Sequence, residues 1–419
     1  ATVQIAGINA DQQGMTVGKQ YILPDGSLTT DASSGGGGDY EFGTPEVFNN
    51  GGTNYTSATY DPVANKVVIA YMDNGNSQFG TAVVGTVSGN SITFSAPVVF
   101  NTAKSDYISA TYDSTANKVV IAYRDNGNTG QGAAIVGTVS GDSISFGTPV
   151  LFYINGNGSV YSISTTYDST SNKLVIAYKD SPSQYGTAVV GTVSGNSISF
   201  GTPVVFNSAG TDNISATYDP VANKAVIAYR NFGNSDYGTA ILGTVSGDSI
   251  TFGAPEVFNN GGTNYTSSVY DPVANKAVIA YRNFGNSDYG TAILGTVSGD
   301  SISFGTPEVF NTERSDYIST VYDPVASKVV IAYTDNGNSQ YGTSVVGTVS
   351  GDSITFGTPE VFSSAPSLWT STTYDPVNNK VVIAYMDYGN SSYGTAITYG
   401  VDAGEPNVFA GTAISSTEL

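Results

Sequence analysis

The sequence predicts an all-β fold, a seven-bladed β-propeller of four-stranded blades, and three observations predict it. The dipeptide Tyr-Asp recurs at Tyr60-Asp61, Tyr112-Asp113, Tyr167-Asp168, Tyr218-Asp219, Tyr270-Asp271, Tyr322-Asp323 and Tyr374-Asp375, at spacings of 52, 55, 51, 52, 52 and 52 residues. Repeats of that length mark propellers and solenoids. Each unit reads as four short strands parted by turn residues, and no segment has helical periodicity. The last unit ends near Val401 without a fourth strand. That strand's pattern stands instead before the first unit, at residues 40–48 (YEFGTPEVF, beside ISFGTPEVF at residues 302–310). A solenoid has no use for a permuted strand, whereas a ring needs one to join its ends.

In chain order, residues 1–30 read as the N-terminal half of a small β-module, with a hairpin around Pro24-Asp25-Gly26. Residues 31–39 (DASSGGGGD) are a Gly/Ser linker, residues 40–403 the propeller, and residues 404–419 the C-terminal half of the module. In the first unit residues 55–60 are a strand and Asp61-Pro62-Val63-Ala64-Asn65 a turn. There the carboxylate accepts from the backbone ahead and Pro presets φ. Residues 66–71 (KVVIAY) form a β-branched strand, Asn74-Gly75-Asn76-Ser77 a loop, and residues 80–87 (GTAVVGTV) the third strand. Ser88-Gly89-Asn90 is a tight hairpin and residues 92–100 the fourth strand, an outer edge that tolerates Pro97.

Composition limits the chemistry. The 419 residues include no Cys and no His, with 14 basic and 34 acidic side chains, a net charge of −20. Without Cys or His there is no disulfide, no thiol nucleophile and no imidazole base or ligand, so any metal is a hard, oxygen-bound ion. The negative charge opposes nucleic-acid backbones and anionic lipid. No apolar run approaches the roughly 20 residues of a membrane helix. Ala1 opens directly into the strand-like Thr2-Val3-Gln4-Ile5, which reads as a mature or trimmed start without a signal peptide. With 11% charged residues and abundant Gly, Ser, Thr, Asn and Tyr, the surface suits a virion or extracellular setting.

A propeller sends alternate loops to two faces. The Asp-Pro-Val-Ala-Asn turns and the Ser-Gly-Asn/Asp hairpins share one face and barely vary, which fits turn chemistry alone. The variation collects on the other face, in the blade-to-blade segments such as Asn49-Asn50-Gly51-Gly52-Thr53 and Asn311-Thr312-Glu313-Arg314-Ser315-Asp316. Ligand binding and unconstrained drift both account for it. Five units place an aromatic five residues before the Tyr-Asp pair: Tyr55, Tyr107, Tyr265, Tyr317 and Trp369, with Ser162 and Asn213 breaking the series. Such rings at the channel mouth stack on sugars, or pack between blades. Arg124, Lys179, Arg230 and Arg282 stand just before the second-strand Asp or Asn in four consecutive units. They form either a contact for an anionic ligand or exposed pairs with Asp125, Asp180, Asp236 and Asp288, worth little to stability.

Asp73-Asn74-Gly75-Asn76-Ser77, Asp125-Asn126-Gly127-Asn128-Thr129, Asp335-Asn336-Gly337-Asn338-Ser339 and Asp387-Tyr388-Gly389-Asn390-Ser391 partly resemble the Asp-box of sialidase-like propellers. The preceding Ser is missing, and Asp-boxes are structural turns. The pattern calls for no cofactor; Ca2+ is the one ion it admits, at one carboxylate per loop. Catalysis breaks ring symmetry, yet residues 218–250 and 270–302 are identical, as are 45–57 and 255–267. Only four Arg occur and no Glu lies in a first or second strand, so sialidase chemistry has no triad or nucleophile pair. A carboxylate pair such as Asp106 and Asp316 has nothing specific behind it. Duplicated blades suggest equivalent weak sites, the geometry of avidity.

At the ends, Gln12-Gln13-Gly14-Met15-Thr16-Val17-Gly18-Lys19-Gln20-Tyr21, Asp25-Gly26-Ser27-Leu28-Thr29-Thr30 and Ala410-Gly411-Thr412-Ala413-Ile414-Ser415-Ser416-Thr417-Glu418-Leu419 resemble a short β-module of tailed-phage virion proteins. The blade repeat resembles those of phage appendage and bacterial surface proteins. The resemblance implies a virion appendage, such as a tail fibre, with the propeller inserted between the halves of the module and presented to a host-surface glycan or protein. It implies no catalytic residues, so the expected function is a non-enzymatic, glycan-binding adhesin. The alternatives are a structural subunit pairing with other virion subunits by strand addition, through residues 2–7 or the tail, and a carbohydrate-active hydrolase or lyase.

Overall fold

The computed structural model describes residues 40–153 and 158–401, with the backbone of the strands Lys19–Ile22, Leu28–Thr29 and Phe409–Thr412. The chain divides into two units, residues 42–399 and a second made of residues 1–41 with 400–419. In the second, Lys19–Ile22 runs between the other two strands, with Tyr21 opposite Thr29 and Lys19 opposite Thr412. Both ends of the chain thus share one sheet. The expected strand over 2–7, the turn at Pro24-Asp25-Gly26 and the linker over 31–39 lie outside the described residues.

The larger unit is all-β, with antiparallel pairing between its strands. In the first repeat the strands are Glu46–Asp61, Lys66–Asp73, Phe79–Ser88 and Ser91–Phe94. Val67, Val68, Ile69, Ala70 and Tyr71 are all fully buried, because the second strand lies between neighbouring repeats and has no solvent face. The Tyr71 ring lies 5.2 Å from Phe48, and the same Phe–Tyr contact recurs in every repeat, through Phe258–Tyr281 (5.1 Å) to Phe362–Tyr385 (5.1 Å).

Two elements differ from expectation. The fourth strand over 92–100 is two pieces. Ser91–Phe94 pairs with the far half of Phe79–Ser88, Ser95-Ala96-Pro97 leaves the ladder, and Val98 onward pairs with the near half. The break falls at Pro97, which has no N–H to give a ladder. The blade-to-blade segments, expected as loops, are strand. Glu46–Asp61 runs 16 residues without a break, its first half beside Tyr393–Val401 and its second half opening the next sheet. What makes a Gly- and Asn-rich segment extend is side-chain bonding. Asn49 Nδ2 donates to Thr53 Oγ1 (2.9 Å) and Asp73 Oδ1 (3.2 Å), and Asn101, Asn207, Asn259 and Asn311 repeat the pattern. In the third repeat Val150–Tyr153 and Val160–Asp168 are separate strands.

The turns behave as the residues predict. Asp61 Oδ1 accepts from the backbone N–H groups of Val63 and Ala64, each at 2.9 Å, while buried. Asp61→Ala leaves both donors without that oxygen and is expected to cost about 1–3 kcal/mol, read as a shift in the urea midpoint at unchanged slope.

Contacts between repeats follow one rule. Ser57 Oγ accepts from Ala110 N–H (2.9 Å) of the following inner strand, and Ser109, Ser164, Ser215, Ser267 and Ser319 do the same in turn. The series includes Ala58 N–H donating to Ser371 Oγ (2.9 Å), between the first repeat and the last. On the outside, Lys66 Nζ bridges Thr86 Oγ1 (2.6 Å) and Asp142 of the next repeat's hairpin (2.6 Å). Lys173–Asp248, Lys224–Asp300 and Lys276–Asp352 match it. The Ser-Gly-Asn/Asp hairpins are therefore more than turns, since their carboxylates staple repeats together.

Candidate functional site

Tyr55, Tyr107, Ser162, Asn213, Tyr265, Tyr317 and Trp369 occupy one equivalent position, and each has a left-handed backbone with φ between 47° and 55°. The cause is a β-bulge. Asn54 pairs with Met72 and Ser57 with Ala70, so Tyr55 and Thr56 together face the single residue Tyr71. Such a bulge favours Gly or Asn, and a residue with a large side chain there costs about 1–2 kcal/mol. Five of the seven positions carry an aromatic ring regardless.

All seven line one cavity of about 450 Å3. Trp369 and Tyr55 lie 4.2 Å apart between ring centroids, Tyr55 and Tyr107 5.1 Å, Tyr317 and Trp369 5.0 Å, and Tyr265 and Tyr317 5.0 Å. The rings thus form a continuous wall and also pack between repeats, so the two expectations for them coexist. Burial raises the phenol pKa of Tyr55, Tyr107, Tyr265 and Tyr317; Tyr107, Asp212 and Tyr317 add to the rise at the first three, and at Tyr317 a hydrogen bond with Tyr265 opposes it while Asp316 adds to it. The hydroxyls stay protonated donors.

Where the aromatic wall stops, a polar sector replaces it. Asp212 accepts from Ser162 Oγ and from Asn213 N–H (2.9 Å), and Lys179 Nζ lies 3.3 Å from its other oxygen. Asn213 Oδ1 in turn accepts from Tyr265 N–H (3.0 Å). The cavity is therefore lined by aromatic rings on one side and by fixed hydrogen-bonding groups on the other.

The four cations stand one register step behind, opposite the residue before each bulge. Their partners correct the sequence reading in part. Arg124 and Lys179 approach Asp106 (3.9 Å) and Asp212 (3.3 Å), not Asp125 and Asp180, because consecutive strand residues point to opposite faces. Asp125 instead caps its own turn, accepting from Gly127 N–H at 2.9 Å. Arg230 pairs with Asp236 (2.9 Å), whereas Arg282 pairs with Asp316 as well as Asp288 (3.6 Å). None of the four is an exposed pair member, since their side chains are 8–19% accessible.

Asp106 and Asp316 are both engaged. Asp106 accepts from Asn126 Nδ2 (3.0 Å), with Lys104 and Arg124 at 3.7 and 3.9 Å. Asp316 holds Arg282, Arg314 (2.9 Å) and Asn336 Nδ2 (3.0 Å). The Asp-x-Gly-x-Ser/Thr loops are short 3-10 turns whose Asp accepts from the turn's own backbone, as Asp73 does from Gly75 N–H at 3.0 Å. Among the described residues no group of three acidic side chains is placed to hold a metal ion.

Two groups of residues escaped the sequence reading. Tyr161, six residues before its Tyr-Asp pair, reaches the wall at 5.6 Å from Tyr107 and carries Arg124 over its face at 4.4 Å. Phe232 and Phe284, in the duplicated turns, stand exposed beside Arg230 and Arg282. Their signal was Phe where other repeats have Asn74, Asn126 and Asn336.

No protein-family model matches the chain, and no curated protein matches it. Solved structures do. The BP39L lectin from Burkholderia pseudomallei aligns at 8% identity and a TM-score of 0.60, covering 87% of this chain and all of its own. A protein of unknown function from Dyadobacter fermentans aligns at 10% identity and a TM-score of 0.54, covering 86% and 99%. Similarity at such identities is similarity of fold. The chain has an all-β, repeated-strand, propeller-like fold that it shares with these proteins across nearly their whole lengths.

Proposed function

We propose that this chain is a seven-bladed β-propeller, its last blade completed by residues 46–49, that binds a glycan in its aromatic-walled cavity without turning it over. The observation that carries the reading is the set of five aromatic residues in left-handed backbone. The backbone conformation favours Asn or Gly there, and a ring kept at five of the seven positions supports a use beyond packing. A ring wall facing Ser162, Asp212 and Asn213 suits a sugar, whose C–H face stacks and whose hydroxyls hydrogen-bond. The lectin of the same fold supports this reading. The Ala58–Ser371 bond and the pairing of Ala396 with Glu46 support the closed ring. The resemblance of the chain ends to phage virion modules supports a virion or other extracellular surface as the setting, with other appendage subunits as partners. Asp106 and Asp316, each against cations and outside the cavity, support binding over hydrolysis.

The test is a glycan-array screen of the chain beside a Tyr55→Asn, Trp369→Asn variant. The variant is expected to lose binding while its unfolding free energy changes by no more than about 2 kcal/mol, because relief of left-handed strain offsets the lost ring contacts. Binding retained by the variant, or no binding by the folded parent, overturns the reading.

A further inference from the structure

The identical stretches 218–250 and 270–302 give two neighbouring repeats the same turn, Asn231-Phe232-Gly233-Asn234-Ser235-Asp236 and Asn283-Phe284-Gly285-Asn286-Ser287-Asp288. The turn needs no aromatic, since Asn74, Asn126 and Asn336 form it elsewhere. Yet Phe232 is 42% and Phe284 36% exposed. Each ring is seated on glycine backbone. A Cβ on Gly210 would come within 2.8 Å of Phe232, and one on Gly262 within 2.6 Å of Phe284. The Arg230 guanidinium lies 4.7 Å from the Phe232 centroid and 5.4 Å from that of Phe284. Arg282 lies 4.5 Å from Phe284 and 5.1 Å from Tyr265. Phe232, Arg230, Phe284, Arg282 and Tyr265 therefore form one stacked series from an exposed turn to the cavity wall.

The series is close to neutral. Asp236 accepts from Arg230 at 2.9 Å, and Arg282 is matched by Asp316 and Asp288. The Asp236 and Asp288 side chains nevertheless stay 40% and 42% accessible, so their oxygens can take further donors. The exposed part of each ring, beside a carboxylate fixed by a cation, fits a neutral pyranose, with its C–H groups against the ring's open edge and its hydroxyls donating to the carboxylate. An anionic sugar meets no unmatched charge there.

We propose that Phe232 and Phe284 are successive subsites of a track that carries a neutral oligosaccharide across this face to Tyr265 and the cavity. The proposal rests on the carbohydrate reading above and adds the length and charge class of the ligand. The two rings are no further apart than their distances to Arg230 laid end to end, a gap that one short chain spans. Sugars in the same chain then meet both rings, and the second contact forms at high effective concentration.

Calorimetric titration of the full chain with cello-, chito-, manno- and malto-oligosaccharides of graded length tests the track. The parent, a Phe232→Ala, Phe284→Ala variant and a Tyr388→Ala variant are compared. Affinity of the parent is expected to rise with chain length, and the double variant to bind the longest member about tenfold more weakly or worse. Its affinity for the shortest member and its far-UV circular dichroism are expected to match the parent, with the thermal midpoint lowered only by the loss of the ring–guanidinium contacts. Tyr388, at the same turn position but beside Met386 where the two repeats have arginine, is expected to be dispensable. Affinity independent of length, or unchanged in the double variant, overturns the track and leaves the cavity reading standing. Absence of any binding to these neutral chains, with binding to acidic glycans on the array, overturns the track's charge class alone.

Discussion

Between about pH 10 and about pH 11 the protein is expected to unfold in one steep step. Tyr71, Tyr123, Tyr178, Tyr229, Tyr281, Tyr333 and Tyr385 each lie two residues before the end of a second strand and are fully or almost fully buried. Burial raises each phenol above its ordinary pKa, with Asp73 adding to it at Tyr71 and Asp180 at Tyr178. The folded state thus keeps these protons at pH values where the unfolded chain gives them up. Stability is untouched below about pH 10 and falls above it by about 1.4 kcal/mol per pH unit for each tyrosine. Seven together remove about 10 kcal/mol by about pH 11, comparable to the whole stability of an ordinary domain. Tyr112 and Tyr270, less buried on the Asp turns, are pushed up to about 12 and add to the trend. The check is a pH titration followed by the tyrosinate absorbance band and by far-UV circular dichroism. The two are expected to change together and cooperatively. Gradual ionisation with the dichroism intact to about pH 12 would mean that these phenols are open to solvent.

The repeat that sets up this alkaline collapse was plain in the sequence, because KVVIAY and Tyr-Asp-Pro-Val-Ala-Asn are short-range signals. A β-branched run and an Asp-Pro turn act within a few residues of themselves. The parts that were not legible depend on partners far away in the chain. Lys66 meets Asp142 across 76 residues, and Ser57 meets Ala110 across 53. Nothing in the spacing of either residue announces its partner. The crossovers read as loops because Asn49-Asn50-Gly51-Gly52 has poor strand propensity, and Asn49 overrides that propensity by bonding Thr53 and Asp73. At the candidate site, the period placed Tyr55, Tyr107, Tyr265, Tyr317 and Trp369 at one position. Their left-handed backbone was hidden, since the residues that advertise such a conformation are Gly and Asn, and only Asn213 gave that sign. Proximity in sequence pairs Arg124 with Asp125, whereas the strand turns those two side chains to opposite faces and leaves Arg124 beside Asp106.

Phe48→Ala and Phe258→Ala are expected to destabilise the protein equally, by about 3–5 kcal/mol each, and to leave a single unfolding transition. The two side chains are equivalents. Phe48 is 5% exposed and lies 5.2 Å from Tyr71 and 5.6 Å from Phe94, and Phe258 is 6% exposed and lies 5.1 Å from Tyr281 and 5.8 Å from Phe304. Each ring fills the space over a glycine, Gly394 and Gly238 respectively, where a Cβ would come within 2.4 Å. They differ in one respect. Phe258 joins repeats that follow each other in the chain, whereas Phe48 joins the first repeat to the last, 346 residues away at Gly394. In an open row of repeats each unit leans only on its neighbours, and damage at one end frays that end alone. Phe48→Ala would then cost less than Phe258→Ala and split off an early, partial transition. In a closed ring no repeat is terminal, and losing either contact opens the same circuit at the same cost. Urea unfolding of both variants followed by tyrosine fluorescence and far-UV circular dichroism separates these cases. Equal midpoint shifts with unchanged slope support the ring, and an early phase confined to Phe48→Ala refutes it, because a slope that falls reports less surface exposed in the main transition.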